Sequence, residues 1–340
     1  MNFAFTPEQD ALRAEARRFL SEHVDVRAQI RQAGAHDPVL WKRLGKLGWL
    51  GALVPEEHGG AGMSLVDACV LFEENGRALL PGPFLLHAIA AQAIARCGGD
   101  ALLPDLISGS KIAAFWLAYE TTVDAGAIEG RALLIPDAGI AHLLVLGLKD
   151  RSMVVVPAGS FAATEADTAD LTRPRSDVAF DGPTEPLPTP DVAGSSVRAS
   201  VAIAAESVGG ARAALDMAVA YAHERTQFGK PIGSFQAIKH KAADMLRAVE
   251  AARLAVYYAA WAIDAGDPSH AVATAHAKVA ANEAFLLCAK ESIQIHGGIG
   301  VTWEHDAHLF YRRALANATM FGESAVNRDR IALAAIGEVS

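Results

Sequence analysis

Residues 221–256 read YAHERTQFGKPIGSFQAIKHKAADMLRAVEAARLAV. The second half carries Phe235, Ile238, Ala242, Met245, Val249, Ala252 and Val256, and these steps of three and four put every one of those side chains on one helix seam. A helix with an apolar seam must bury it against other helices, so the stretch predicts a helix bundle. The first half supplies a boundary: a helix ends near Arg225, and Gly229 to Gly233 turn the chain before the next begins. Gly297, Gly298 and Gly300 likewise separate a helix ending near His296 from one starting near Trp303. The expectation is four antiparallel helices with a short fifth after Glu323.

Upstream the texture changes. Residues 111–190 hold short apolar runs, such as 143–148 and 153–156, separated by Gly, Pro and Asp as in strands. Pro183, Pro186, Pro188 and Pro190 make residues 181–196 an expected extended connector. At the start, Thr6, Pro7, Glu8 and Gln9 place an N-cap, a proline at the first helical position and a glutamine three residues after the cap, opening a helix towards His23. Further helix is expected over 38–48 and 65–80, with the turn-rich residues 54–62 between them. The fold class is therefore mainly α with a small β domain: an N-terminal helical domain over 1–110, a reduced, barrel-like middle β domain over 111–190 and a C-terminal four-helix bundle over 191–340. Gly209-Gly210, inside a helical stretch, is read as relieving helix crowding.

A chain of 340 residues can bury substantial cores, and 51% hydrophobic with 20% charged residues is a globular composition. A net charge of −9 gives no broad attraction to nucleic acid, although a local basic cleft can still hold a phosphorylated ligand. Cys69, Cys97 and Cys288 form neither a CxxC pair nor a dense framework, which disfavours disulfides and zinc and makes a reducing cytoplasm the simplest compartment. The start lacks a basic region followed by an apolar one, and no run approaches the roughly 20 apolar residues that span a bilayer, so neither secretion nor a membrane span is expected. No strand-borne Gly-x-Gly-x-x-Gly turn and no Walker loop occurs, which argues against nicotinamide and nucleotide-hydrolysis chemistry. Paired Glu-x-x-His motifs of a di-metal bundle are also missing. Glu304, His305 and His308 are read as polar residues at a helix start, and no metal is expected.

The chemistry concentrates around two glycine-bearing turns. Arg225 can pair with a pyrophosphate, Phe228 can cover apolar ligand surface, Gly229 permits a turn that a side chain would obstruct, and the Gln236 amide can hydrogen-bond a cofactor. In Gln294-Ile295-His296-Gly297-Gly298-Ile299-Gly300 the glycines let backbone amides approach phosphate oxygens. The string from Tyr221 to Gln236 closely resembles the signature of the acyl-CoA dehydrogenase family, and the Gln294 to Gly300 block is similar to that family's other FAD-contacting turn, which reaches the cofactor of a neighbouring subunit. Leu47-Gly48-Trp49, Val54 to Gly60, Thr302 to Asp306 and Arg312-Arg313 extend the resemblance over nearly the whole chain in order. It implies FAD near subunit contacts, held by Arg225, Phe228, Gln236, Gln294, Gly297 and Gly298. It also implies removal of the α-proton of an acyl-CoA by a carboxylate while the β-hydrogen leaves as hydride, giving the trans-2-enoyl thioester, with electrons passing to an electron-transfer flavoprotein.

A proton α to a thioester is only weakly acidic, so the reaction needs a base within reach and stabilisation of enolate-like charge. Many members of the family place that base in a Tyr-Glu-Gly-Thr-like turn. Here the matching stretch starts Phe321-Gly322-Glu323-Ser324, with Gly322 at the glutamate position and Glu323 one residue later, rotated by roughly 100° if the step is helical. Glu323 is the candidate base. The family's alternative base position matches Ala199 and Ser200; Arg198 is nearby, and Glu206, the next acid, lies farther along the helix. Tyr119-Glu120-Thr121-Thr122 stands for the family's flavin-covering features in the shortened β domain. These departures resemble heteromeric members from bacterial steroid side-chain degradation, in which one subunit supplies the base and another completes cofactor sites. The expected assembly is a homo-oligomer or a heteromer with another such subunit, and the alternative role is a catalytically incomplete FAD-binding or scaffold subunit.

Overall fold

Helix α1 (Pro7–His23) opens with the reciprocal cap that its sequence encodes: Thr6 Oγ1 accepts from the Gln9 amide at 3.2 Å and Gln9 Oε1 accepts from the Thr6 amide at 3.1 Å. The computed structural model describes residues 4–32, 35–124 and 126–337. After α1 come α2 (Val26–Gln29), α3 (Pro38–Lys46), α4 (Leu65–Arg77), α5 (Phe84–Arg96) and α6 (Leu103–Ile107). Among the described residues eight strands follow: β1 (Ala113–Leu117), β2 (Thr122–Asp124), β3 (Ala127–Pro136), β4 (Leu143–Gly147), β5 (Met153–Pro157), β6 (Phe161–Glu165), β7 (Arg175–Pro183) and β8 (Glu185–Pro186). The last stretch holds α7 (Val192–Glu224), the short strands β9 (Thr226–Gln227) and β10 (Lys230–Pro231), then α8 (Gln236–Asp264), α9 (His270–His296), α10 (Ala307–Thr319) and α11 (Ser324–Ile336). No helix among the described residues is long and apolar enough to cross a membrane.

The chain divides into two compact units. One comprises Met1–Glu22, Leu65–Leu80 and Ser200–Ser340, and the other His23–Ser64 and Pro81–Ala199. In the first, Met245, Val249, Ala252 and Val256 of the α8 seam are fully buried, each such side chain contributing roughly 1.5–3 kcal/mol except the smaller alanine. Ile238 and Ala242, at the N-terminal end of the same seam, are only half-buried. Helices α4 and α7 cross backbone to backbone: a Cβ on Gly76 would lie 1.9 Å from the Glu206 carbonyl oxygen, and one on Gly209 would lie 1.7 Å from that of Glu73. Gly210 makes room for the Phe285 ring of α9 in the same way. The glycine pair therefore relieves helix crowding, as its sequence suggests.

In the second unit the strands make two sheets, ordered β1-β4-β5-β8 and β2-β3-β7-β6. Strand β1 runs parallel to β4, whereas the remaining pairings are antiparallel. Leu144, Leu146, Val154 and Val156 of one sheet share an apolar core with Ile128, Ile135, Val178 and Phe180 of the other. The β domain is not barrel-like in the closed sense, because each sheet keeps two edges and the described strands form no closed barrel. Closure needs continuous staggered pairing, which two-residue β8, ending in Pro186 without an N–H, does not offer. The expected extended connector over 181–196 is likewise shorter. Glu185 and Pro186 pair with Val155 and Val154, and α7 already starts at Val192 because Asp191 Oδ1 accepts the Gly194 amide at 2.8 Å.

Candidate functional site

After Arg225 the chain reverses in a two-residue hairpin, β9 pairing with β10 through Gln227–Lys230 and Thr226–Pro231. Both turn residues are left-handed, Phe228 at φ +53° and Gly229 at φ +78°, which is the type I′ geometry demanded by a two-residue hairpin. Glycine adopts it freely; phenylalanine does so at a cost. Phe228 is also 91% exposed, so neither backbone preference nor burial in this chain accounts for it. Its ring sits edge-on to Phe235 at 6.0 Å, and Lys230 Nζ lies 4.5 Å from the centre of the Phe235 ring. The Ile232 amide donates to the Arg225 carbonyl, fixing the loop, while the Arg225 guanidinium is exposed and meets no carboxylate among the described residues. Gln236, exposed, starts α8 just beyond.

The C-terminus of α9 makes the second turn. Gly297 ends the helix at φ +65°, a conformation that side-chain-bearing residues rarely adopt, and a Cβ on Gly297 or Gly298 would meet nothing within 4 Å. Gln294 is exposed beside them. His296 is buried, its ring stacked against Tyr221 at 4.4 Å and His305 at 4.1 Å, with Nδ1 on the Ser292 carbonyl at 2.7 Å. Burial above all, with His305 beside it, lowers the imidazole's affinity for a proton against the opposing Ser292 carbonyl.

These two turns border one groove of about 310 Å³. Ala218, Val219, Ala222 and His223 of α7 line it with Gly233, then Ile238, Lys239 and Ala242 of α8, and Ile295 of α9. The half-buried end of the α8 seam thus lines an open, largely apolar slot. At the small end of the range for ligand sites, the slot can take one ring system rather than a whole dinucleotide. Its apolar walls, the unpaired Arg225 cation and the open glycine backbones together suit a flat ring joined to phosphates. None of Arg225, Phe228, Gln236, Gln294, Gly297 and Gly298 lines it directly; each lies within a few residues in sequence of a lining residue, Arg225 after His223, Gln236 before Ile238, and Gln294, Gly297 and Gly298 beside Ile295. Of the lining residues, Ile238 and Ala242 carried a sequence signal as core positions and Gly233 as part of the turn; Ala222, His223 and Ile295 lie inside the two family-like strings without a role assigned, and Ala218, Val219 and Lys239 carried none.

Glu323 is elsewhere in this unit, exposed at the N-cap position of α11 and making no capping bond. The turn before it holds two consecutive left-handed residues, Phe321 at φ +50° and Gly322 at φ +116°. Ser200 Oγ donates to the Phe321 carbonyl at 2.6 Å and Asn327 Nδ2 to the Gly322 carbonyl at 3.2 Å. Glu206 is no reserve base. It is fully buried, Oε1 accepting from Asn75 Nδ2 at 2.7 Å and from Arg313 at 2.9 Å, and Oε2 from Asn317 Nδ2 at 2.8 Å. Arg313 therefore has a structural partner, whereas Arg312 lies over the Trp303 ring at 5.6 Å. Ala199 is buried, and Tyr119 to Thr122 belong to the second unit, with Thr121 hydrogen-bonded to the Ala118 carbonyl. Among the described residues no cluster of three or more His, Cys, Asp or Glu side chains could hold a metal ion, Glu304, His305 and His308 included.

Comparison with known proteins identifies the family. Sequence models of the acyl-CoA dehydrogenase N-terminal domain and C-terminal domain match residues 6–110 and 198–336. The acyl-CoA dehydrogenase IpdE2 of Mycolicibacterium smegmatis is 34% identical over 93% of this chain and 94% of its own length. IpdE2 of Mycobacterium tuberculosis is 36% identical over 92% of each. Among solved structures, the Tcur3481-Tcur3483 steroid ACAD superposes with a TM-score of 0.89 at 28% identity, covering 98% of this chain and 99% of that one. The chain belongs to the acyl-CoA dehydrogenase family, a family of oxidoreductases whose cofactor is a flavin.

Proposed function

We propose that this chain works in the α,β-dehydrogenation of an acyl-CoA thioester to its trans-2-enoyl product, with FAD held at the groove and electrons delivered to an electron-transfer flavoprotein. The observation that carries this reading is the convergence of the α7 end, the open α8 seam and the α9 end on one apolar slot, with an exposed arginine following α7 and an open glycine pair following α9. Arg225 would pair with pyrophosphate oxygens, the backbone of Gly297 and Gly298 would approach them, and Gln236 and Gln294 would hydrogen-bond the cofactor. Phe228 would pack on apolar surface outside its own chain. A bound flavin supplies the acceptor for the β-hydrogen, which leaves as hydride. The α-proton is assigned to Glu323, whose exposed carboxylate at the α11 N-terminus has no competing hydrogen bond from its helix.

Gly322 favours a second reading, a FAD-binding subunit completed by a base from another chain. It stands where the family's glutamate is expected, and at φ +116° a Cβ there would lie 2.8 Å from Asn327 Nδ2, so this turn is built around glycine. The similarity to the Tcur3481-Tcur3483 steroid ACAD makes a steroid-derived acyl group the substrate class to test first. Purified protein should carry a flavin spectrum that an acyl-CoA bleaches without oxygen. Absence of flavin even with candidate partner subunits present would sink the assignment. Bound flavin that bleaches only with a partner favours the second reading, and full activity in Glu323→Gln removes Glu323 as base.

A further inference from the structure

The bundle buries a lysine without a carboxylate. Lys278, on α9, is wholly enclosed, and no described residue forms an ion pair with it. The nearest relevant acid, Glu206, is already occupied by Arg313, Asn75 and Asn317. Lys278 Nζ instead donates to Asn282 Oδ1 at 2.7 Å and to the Asn317 carbonyl at 2.8 Å. Burial pushes it down to about 7, with the Glu206 charge opposing. The neutral amine still has two N–H groups for those two acceptors, so the contacts do not depend on its charge. An enclosed lysine in a helical core is poor for stability, and its use must be sought in what it orients.

It orients both ends of one turn. The Asn317 carbonyl also accepts the Met320 amide at 3.2 Å, where α10 stops. With its oxygen held by Lys278, the Asn282 amide presents Nδ2 to Ser324 Oγ at 3.3 Å, at the first residue of α11. Ser200 and Asn327 hold the carbonyls of Phe321 and Gly322 between those ends. Two consecutive left-handed residues, one of them a phenylalanine, persist only where the surroundings over-determine them. We infer that Lys278 is a positioning residue that, through Asn282 and Ser324, holds the 320–324 turn in the strained form from which Glu323 is presented to the reacting thioester. This rests on the assignment of Glu323 as base; the hydrogen-bonded clamp itself does not.

Hydrogen exchange followed by mass spectrometry on the flavin-loaded protein tests the clamp without turnover. Lys278→Met, Asn282→Ala and Ser324→Ala should each speed exchange in peptides covering 319–326 by about tenfold or more, leaving α1 and α8 peptides unchanged. Should Lys278→Met fail to fold, Asn282→Ala and Ser324→Ala, the latter at a half-buried position, decide the matter. Flavin reduction by a saturated acyl-CoA, with butyryl-CoA and a steroid side-chain CoA as probes, should lose kcat with KM nearly unchanged, and Lys278→Met should add no further loss to Glu323→Gln. Wild-type exchange in the turn of both Asn282→Ala and Ser324→Ala would overturn the clamp. A loosened turn with Glu323→Gln fully active would leave the clamp standing and refute only the assignment of the base.

Discussion

Replacing Phe228 by alanine separates a side chain kept for its own fold from one kept for something outside it. The ring is 91% exposed on a hairpin tip, so its removal from the isolated chain deletes almost no packing, and alanine at φ +53° carries a similar backbone cost. Stability to urea should stay within about 0.5 kcal/mol of wild type. Cofactor binding should not. A phenylalanine offers roughly 150–250 Å² of surface; covering about 100 Å² of it at about 25 cal/mol per Å² is worth about 2.5 kcal/mol, or about 60-fold in Kd. The assay is titration of flavin-stripped protein with FAD, followed by flavin fluorescence and by unfolding in urea. Phe228→Asn sharpens the test, because Asn-Gly is the preferred type I′ pair: it should gain about 0.5–1 kcal/mol of stability while losing the same affinity. FAD affinity within twofold of wild type in both variants would refute the assignment of Phe228 to the cofactor site.

Glu206→Leu strands the buried Arg313 cation and should cost about 3–5 kcal/mol in chemical unfolding, whereas combining it with Arg313→Met should recover most of that loss. Lys278 gives a pH signature. Its folded value of about 7 lies below that of an unfolded lysine, about 10.4, so between them the unfolded chain binds the extra proton and stability rises with pH. The unfolding free energy of wild type minus that of Lys278→Met should therefore climb by about 2 kcal/mol from pH 7 to pH 9, with the burial cost complete below pH 7; a flat difference would mean the lysine is not charged in the unfolded chain alone over that window. Gly322→Ala puts a side chain at φ +116° beside Asn327 and should lower thermal stability by about 1–3 kcal/mol.

Much of the bundle was legible because its information is local. The α8 seam repeats at helical spacing, Thr6 and Gln9 encode a reciprocal cap, and Gly229 and Gly297 mark positions where a positive φ is needed. Helix α5 was not singled out, since residues from Phe84 to Ile94 are buried nearly all round and an element apolar on every face has no period to read. The open sheets had the same difficulty at longer range: alternation marks strands, but whether the edges meet depends on pairings distant in sequence.

For the site, residue identity proposed which turns could carry cofactor-binding chemistry, from an arginine, a phenylalanine and paired glycines, but that Arg225 is unpaired and Phe228 exposed is a product of the fold. Only the tertiary structure decided that the three helix ends beside those turns leave Ile238 and Ala242 facing a slot, since the same seam spacing describes core and groove alike. It alone also decided that Glu206 is committed to Arg313 and that Lys278 reaches the turn before Glu323. Hydrogen-bond partners separated by dozens of residues are set by how helices pack, and a linear pattern does not encode which donors that packing brings to one acceptor.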